Sequence, residues 1–172
     1  MFDISSGRAS SLLRSTKIAI ALGSNLGDRE AHLAFGLSAL PGFITNLKQS
    51  SWYDTAPVGV SPDQPRYLNG VVVGETLLSA RELLDRLLQI EEAAGRRRPS
   101  AMAPRTLDLD LILFGDQVID EAGLAVPHPR FRERLFVLEP LAEVAPGWID
   151  PGTGKTISVL LREQQASRQN AS

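Results

Sequence analysis

Apolar and polar positions along this chain follow two rhythms, one of period two and one near 3.6, and their order sketches an architecture. Lys17 to Leu22 predicts a short apolar strand, closed by Gly23-Ser24-Asn25. Asp28 can cap a helix in which Leu33, Leu37 and Leu40 recur at helical spacing, and Pro41-Gly42 ends it. Ile44 to Tyr53 predicts a second strand with imperfect alternation, and Thr55 to Arg66 a loop rich in Pro and Gly. Leu68 to Leu78, with Val71-Val72-Val73 inside it, predicts a third. Ser79-Ala80-Arg81-Glu82 is a capping box, in which the Ser and Glu side chains each satisfy a backbone N–H at the helix start. The helix it opens carries Leu83, Leu84, Leu87, Leu88 and Ile90, and Gly95 can close it. An arginine-rich segment follows, then a strand through the run from Pro104 to Phe114. A helical signal from Phe131 to Val144 is interrupted by Pro140, and Thr156 to Leu161 predicts a last short element.

Strand-helix-strand-strand-helix-strand is the order of an α+β fold with a ferredoxin-like βαββαβ core, here with extra C-terminal elements. Helices are expected to cover one sheet face and loops the other. No repeat or linker divides the chain, so 17–162 is expected to form one domain. The Ser-rich segment 1–16, with Arg8 and Arg14, is expected to be a flexible tail, since it lacks the apolar centre of a secretory signal. The polar segment 163–172 is expected to fray.

Composition narrows the function classes. At 172 residues, with 43% hydrophobic and 22% charged positions, the chain can bury a real core. A net charge of −2 makes no electrostatic case for nucleic acid or an anionic membrane. Without cysteine there are no disulfides, thiolate metal sites or cysteine nucleophiles, which suits a reducing compartment, and a cytoplasmic protein is expected. No apolar run approaches the roughly 20 residues that span a bilayer.

The most informative stretch is Pro104-Arg105-Thr106-Leu107-Asp108-Leu109-Asp110, running on into Leu111-Ile112-Leu113-Phe114. Alternation puts Leu107, Leu109, Leu111 and Leu113 on one face and Asp108 and Asp110 on the other, with Ile112 and Phe114 further along it. Carboxylates at i and i+2 sit roughly 6–7 Å apart, close enough to share one metal ion or bridge two about 3.5–4 Å apart. Two such charges repel unless a cation neutralises them. Arg96, Arg97, Arg98 and Arg105 lie just upstream. Acids for a hard cation beside arginines for phosphate are the parts of a phosphoryl-transfer site. Leu-Asp alternation also suits a strand with one solvated face, but Ile112 and Phe114 make the acid-bearing face apolar two residues on, placing the acids at the rim of a covered face.

Other residues carry weaker signals, each with a plain structural alternative. Glu91 lies on the apolar stripe of its helix near the C-terminus, where the macrodipole disfavours an anion, so it needs a partner unless it snorkels outward. Arg96 and Arg98 alternate around Arg97 and can point together at a polyanion; Arg97 is read as solvated. Tyr67 and Asn69 share a strand face, where a ring can stack on a planar heterocycle and an amide can read its edge. His128 stands between Pro127 and Pro129, which hold it extended, and can donate to a phosphate oxygen. Gly152-Thr153-Gly154-Lys155-Thr156 ends like a P-loop, but that pattern needs Gly where Ile149 stands, and the segment is read as a turn.

Gly23-Ser24-Asn25-Leu26-Gly27-Asp28, Tyr67-Leu68-Asn69, Gly95-Arg96-Arg97-Arg98, Pro104 to Asp110 and Val126-Pro127-His128-Pro129 occur in this order. From about Lys17 to Leu160 the chain resembles the 6-hydroxymethyl-7,8-dihydropterin pyrophosphokinases of folate biosynthesis. The resemblance implies the same ferredoxin-like core and transfer of the β,γ-diphosphate of ATP to the pterin hydroxymethyl group, releasing AMP. It implies Asp108 and Asp110 as ligands of two Mg²⁺ ions, and Arg96, Arg98, Arg105 and His128 as contacts to the triphosphate, with Arg96 and Arg105 also catalytic. Arg134 and Glu91 match further positions on the ATP side. Tyr67 and Phe136 match the rings that sandwich the pterin, Asn69 the amide that reads its edge, and Thr55 and Val58 a loop that adds backbone contacts. Where many relatives carry Arg-Trp-Gly, this chain has Ala101-Met102-Ala103, and Pro129 stands where some have Tyr; neither touches the expected metal ligands. The partners implied are ATP and the pterin, with no nucleic acid, no membrane and a monomeric protein. The competing reading is a non-catalytic ferredoxin-like nucleotide-binding or regulatory module, which has no need of the acid pair.

Overall fold

The computed structural model describes residues 14–95 and 106–172. In chain order come β1 (Thr16–Ser24), α1 (Arg29–Ala39), β2 (Thr45–Gln49), β3 (Tyr53–Thr55), β4 (Tyr67–Thr76), α2 (Ala80–Ala93) and β5 (Asp108–Phe114). A hairpin of β6 (Ile119–Glu121) and β7 (Leu124–Val126) follows, then α3 (Leu135–Val144) and α4 (Ile157–Asn170). Both expected helix starts form. The Asp28 carboxylate accepts from Ala31 N–H, and the Ser79 hydroxyl accepts from Glu82 N–H. Glu82 differs from the expected box in taking the Ser79 hydroxyl at 3.1 Å.

The sheet runs β2-β4-β1-β5, all antiparallel, and β3 continues along β4 beyond β2. This is the ferredoxin-like order with its second strand in two pieces, where the sequence predicts one strand from Ile44 to Tyr53. Ser50 bridges the gap: its N–H donates to Val71 O, and its hydroxyl accepts from Val71 N–H, both at 2.9 Å. A Cβ added at Gly70 would lie 2.5 and 2.6 Å from ring carbons of Trp52, so the indole occupies the space a side chain would need. Gly70→Ala should therefore cost about 1–3 kcal/mol through overpacking. Thermal denaturation should show Tm lowered by about 2–4 °C per kcal/mol.

Three further expectations are corrected. Helices cover both sheet faces: Leu33, Leu83 and Leu87 of α1 and α2 pack with Ile18, Ile20 and Leu22, while Val137, Leu138 and Leu141 of α3 and Ile157 and Leu160 of α4 pack with Ala19, Val71 and Val73. In β5 the alternation breaks. Ile20 pairs with Leu111 but Ala19 with Leu113, so one extra residue bulges into the strand. Beyond the bulge Leu113 joins Ile112 on the α3–α4 side and Phe114 crosses to the other. The polar segment from Glu163 is helical to Asn170, because Thr156 caps α4, buried Ile157 and Leu160 anchor it, and its Arg, Glu and Gln residues favour helix. The segment 152–156 is the expected turn, with Thr153 donating to Asp150 and Thr156 capping α4. Among the described residues no helix is long and apolar enough to cross a membrane.

Candidate active site

Strand register assembles the site. Asp108 of β5 pairs with Gly23 of β1, Gly23 with Asn69 of β4, and Asn69 with Tyr53 of β3, so one row crosses four strands on a single face. Beside it Asp110 pairs with Ala21, and Tyr67 pairs with Thr55. Ala21 and Gly23 carry almost no side chain, which leaves room above the centre of the row. A Cβ at Gly23 would lie 3.0 Å from Asn69 Oδ1 and 3.6 Å from Tyr67 Cδ1.

Above this floor lies a cavity of about 340 Å³. Asp108, Asp110 and His128 line one part of it, and Tyr67, Asn69, Phe136, Thr55 and Val58 another, with Arg130 and Arg134 also in the wall. Cations and carboxylates thus lie beside a patch with two aromatic rings, a layout suited to a ligand with a charged end and a planar end. The Arg134 guanidinium sits 5.6 Å from the centre of the Phe136 ring, a cation–π contact joining the two parts. The Asn69 amide N–H donates to Thr55 Oγ at 2.5 Å. Its carbonyl oxygen therefore faces Gly23 and the cavity.

His128 is held at both ends. Its backbone N–H donates to Ile112 O at 2.9 Å, docking the Pro127-His128-Pro129 segment on the outer edge of β5. Its ring Nδ1 accepts from Arg130 N–H at 3.2 Å, so in the neutral ring the proton is on Nε2. Burial pushes the imidazole below its usual range, and Arg134 and Arg130 lower it further against the opposing pull of Asp108. A neutral Nε2–H donor results, suited to an anionic oxygen.

Asp108 and Asp110 fit Mg²⁺ by donor chemistry. Among the described residues no three His, Cys, Asp or Glu side chains form a complete cage. Mg²⁺ commonly takes only one or two protein carboxylates and fills its shell with phosphate oxygens and water. Two acids on one strand face, at a cavity with cationic walls, suit such a partial site.

Residues 19–146 match the family model of 7,8-dihydro-6-hydroxymethylpterin-pyrophosphokinase (HPPK). The chain belongs to the HPPK family. It is 45% identical over 146 residues to the 2-amino-4-hydroxy-6-hydroxymethyldihydropteridine pyrophosphokinase of Synechocystis, covering 84% of this chain and 74% of that one. The Bacillus subtilis enzyme of the same name is 49% identical over 127 residues, covering 73% and 75%. The crystal structure of wild-type HPPK-DHPS from Plasmodium falciparum superposes with a TM-score of 0.75 at 13% identity, over 92% of this chain and 46% of that longer one, and supports the fold.

Of the residues that the HPPK resemblance singles out, Thr55, Val58, Tyr67, Asn69, Asp108, Asp110, His128, Arg134 and Phe136 meet at the cavity. Glu91 does not line it and is buried on α2. Arg96, Arg98 and Arg105 lie outside the described residues. Ala21, Gly23 and Arg130 are among the lining residues to which the resemblance assigns no role. The alternation of small residues at Ala19, Ala21 and Gly23 was a usable signal for the first two; Arg130 had none beyond its nearness to His128.

Proposed function

We propose that Asp108 and Asp110 hold the Mg²⁺-bound polyphosphate of ATP in the HPPK reaction. In that reaction the β,γ-diphosphate passes to the hydroxymethyl group of the dihydropterin, in folate synthesis. The observation that carries this reading is the row itself, which sets paired carboxylates two strands from Asn69 on one face. When bound, two Mg²⁺ ions would neutralise phosphate charge and acidify the attacking hydroxyl.

The rest is done by the chain's own groups. His128 donates Nε2–H to a phosphate oxygen, and Arg134 supplies fixed positive charge. Arg96, Arg98 and Arg105 add forked donors, with Arg96 and Arg105 stabilising charge that develops on the transferred group. Glu91, buried on α2 outside the cavity lining, is assigned no direct contact with ATP. Tyr67 and Phe136 stack on the two faces of the pterin, and Asn69 Oδ1, aimed by Thr55, accepts from its N–H edge. Thr55 and Val58 add backbone contacts from the end of β3 and the loop after it. Transfer then depends mainly on bringing hydroxyl and β-phosphorus into line in a dry, charge-compensated cleft. The same reading takes 17–162 as one catalytic domain, which α4 continues to Asn170, and the enzyme as a cytoplasmic monomer.

A product assay with ATP, Mg²⁺ and 6-hydroxymethyl-7,8-dihydropterin should yield AMP, and only when the pterin is present. ADP as product, or nucleotide turnover without pterin, would overturn the reading.

A further inference from the structure

The α3 helix carries Phe136 in its first turn and Glu143 seven residues on. Seven residues are close to two turns, so both side chains lie on one stripe. Phe136 faces the cavity. Glu143 reaches the neighbouring edge of the sheet, where one of its oxygens accepts from Ser51 N–H at 2.9 Å and from the Ser51 hydroxyl at 2.5 Å. The other accepts from the Tyr53 hydroxyl at 2.7 Å. One carboxylate thus ties α3 to the chain just before β3 and to β3 itself. Tyr53 pairs with Asn69 and Thr55 with Tyr67. The anchor therefore lies one strand pair from the ring on the sheet side of the cavity, while the opposing ring rides on the anchored helix.

We infer that Glu143 is a positioning residue for pterin binding, fixing the gap between Tyr67 on the sheet and Phe136 on α3. This rests on the pterin reading given above. A stacked heterocycle needs its two flanking rings roughly 7 Å apart, twice the usual stacking distance near 3.5 Å. The first turn of α3 closes on the Arg134 carbonyl, which accepts from Val137 and Leu138 N–H at 2.9 Å, but the ladder is interrupted further on. Pro140 offers no N–H to the carbonyl four residues back, that of Phe136, and Arg134 caps without a side-chain hydrogen bond. Glu143 is solvent-exposed, so charge alone would be worth little. Its three hydrogen bonds give it geometric reach.

The arrangement leaves a spectroscopic mark. Hydrogen bonding to Glu143 pushes the Tyr53 phenol up to about 12, with help from burial and from the Glu143 and Glu139 charges. The chain has two tyrosines, so ¹³Cζ-tyrosine NMR reads them separately.

In Glu143→Ala, the Tyr53 resonance should titrate at least one pH unit lower than in the native enzyme. The KM for pterin should rise roughly 10-fold, because a sub-ångström shift of the flanking rings costs less than the ~100-fold of a full ~1 Å, with the KM for ATP changed less than about 2-fold. Glu143→Gln keeps an acceptor and adds a donor to the phenol. It should restore the pterin KM to near the native value while Tyr53 still titrates low. A Glu143→Ala enzyme with native pterin KM, with both KM values raised together, or with an unmoved Tyr53 titration would overturn the inference. Absence of pterin turnover in the native enzyme would instead overturn the reading beneath it.

Discussion

Asp110→Asn should abolish turnover with Mg²⁺ while leaving the protein folded. Loss of even an outer-shell partner in metal sites costs about 10–100-fold, so loss of a carboxylate that holds the ion directly should lower kcat/KM at least ~100-fold. The substitution keeps shape and removes one of two like charges set on alternate residues of β5. Asparagine is nearly isosteric with aspartate, so Tm should stay close to the native value. Steady-state rates over a range of Mg²⁺ concentrations, with thermal denaturation of the same sample, check both halves. Near-native rates would remove Asp110 from its role.

Asp150→Ala should give the largest loss of stability among single substitutions outside the apolar core. Asp150 is fully buried between α3 and α4 and accepts from Arg132 Nε at 2.5 Å and Nη2 at 2.7 Å, from Gly152 N–H at 2.9 Å and from the Thr153 hydroxyl at 2.7 Å. Removing the acceptor strands four donors at once. Breaking a buried pair costs about 3–5 kcal/mol, and the partly exposed Arg132 side chain places the expected loss near the lower end. For a chain of this size about 3 kcal/mol lowers Tm by roughly 6–12 °C. Acid should produce a related effect. Burial works to raise the Asp150 carboxyl, but Arg132, Thr153 and Gly152 outweigh it and hold the group below its ordinary value of 3.8. A depressed carboxyl contributes its full stability above the unfolded value and loses it as pH falls through the folded value. Native Tm should therefore drop on acidification below about 4 more steeply than that of Asp150→Asn, as calorimetry across that range would show.

Much of the core was legible without coordinates. The caps at Asp28 and Ser79 bond residues only three positions away, and Asp108 and Asp110 share a face because a strand repeats every two residues. Their placement at the rim of a covered face followed from Ile112 on the same side. The bulge before Leu113 was not legible, since the Leu-rich run fits either register equally well. Nor did polarity disclose that α4 continues to Asn170, because a solvated helix and a fraying tail share a composition.

The chain's local pattern alone determined the order of the core strands and helices and which residues carry charge, ring or amide. These depend on periods of two and 3.6 and on hydrogen bonds across a few positions. Only the tertiary structure decided that Asp108, Gly23, Asn69 and Tyr53 stand in one row, and that Glu143 reaches back 92 residues to Ser51. Strand register and helix docking are settled by pairings between distant segments, whose free energy belongs to the assembled sheet and to no single stretch of sequence.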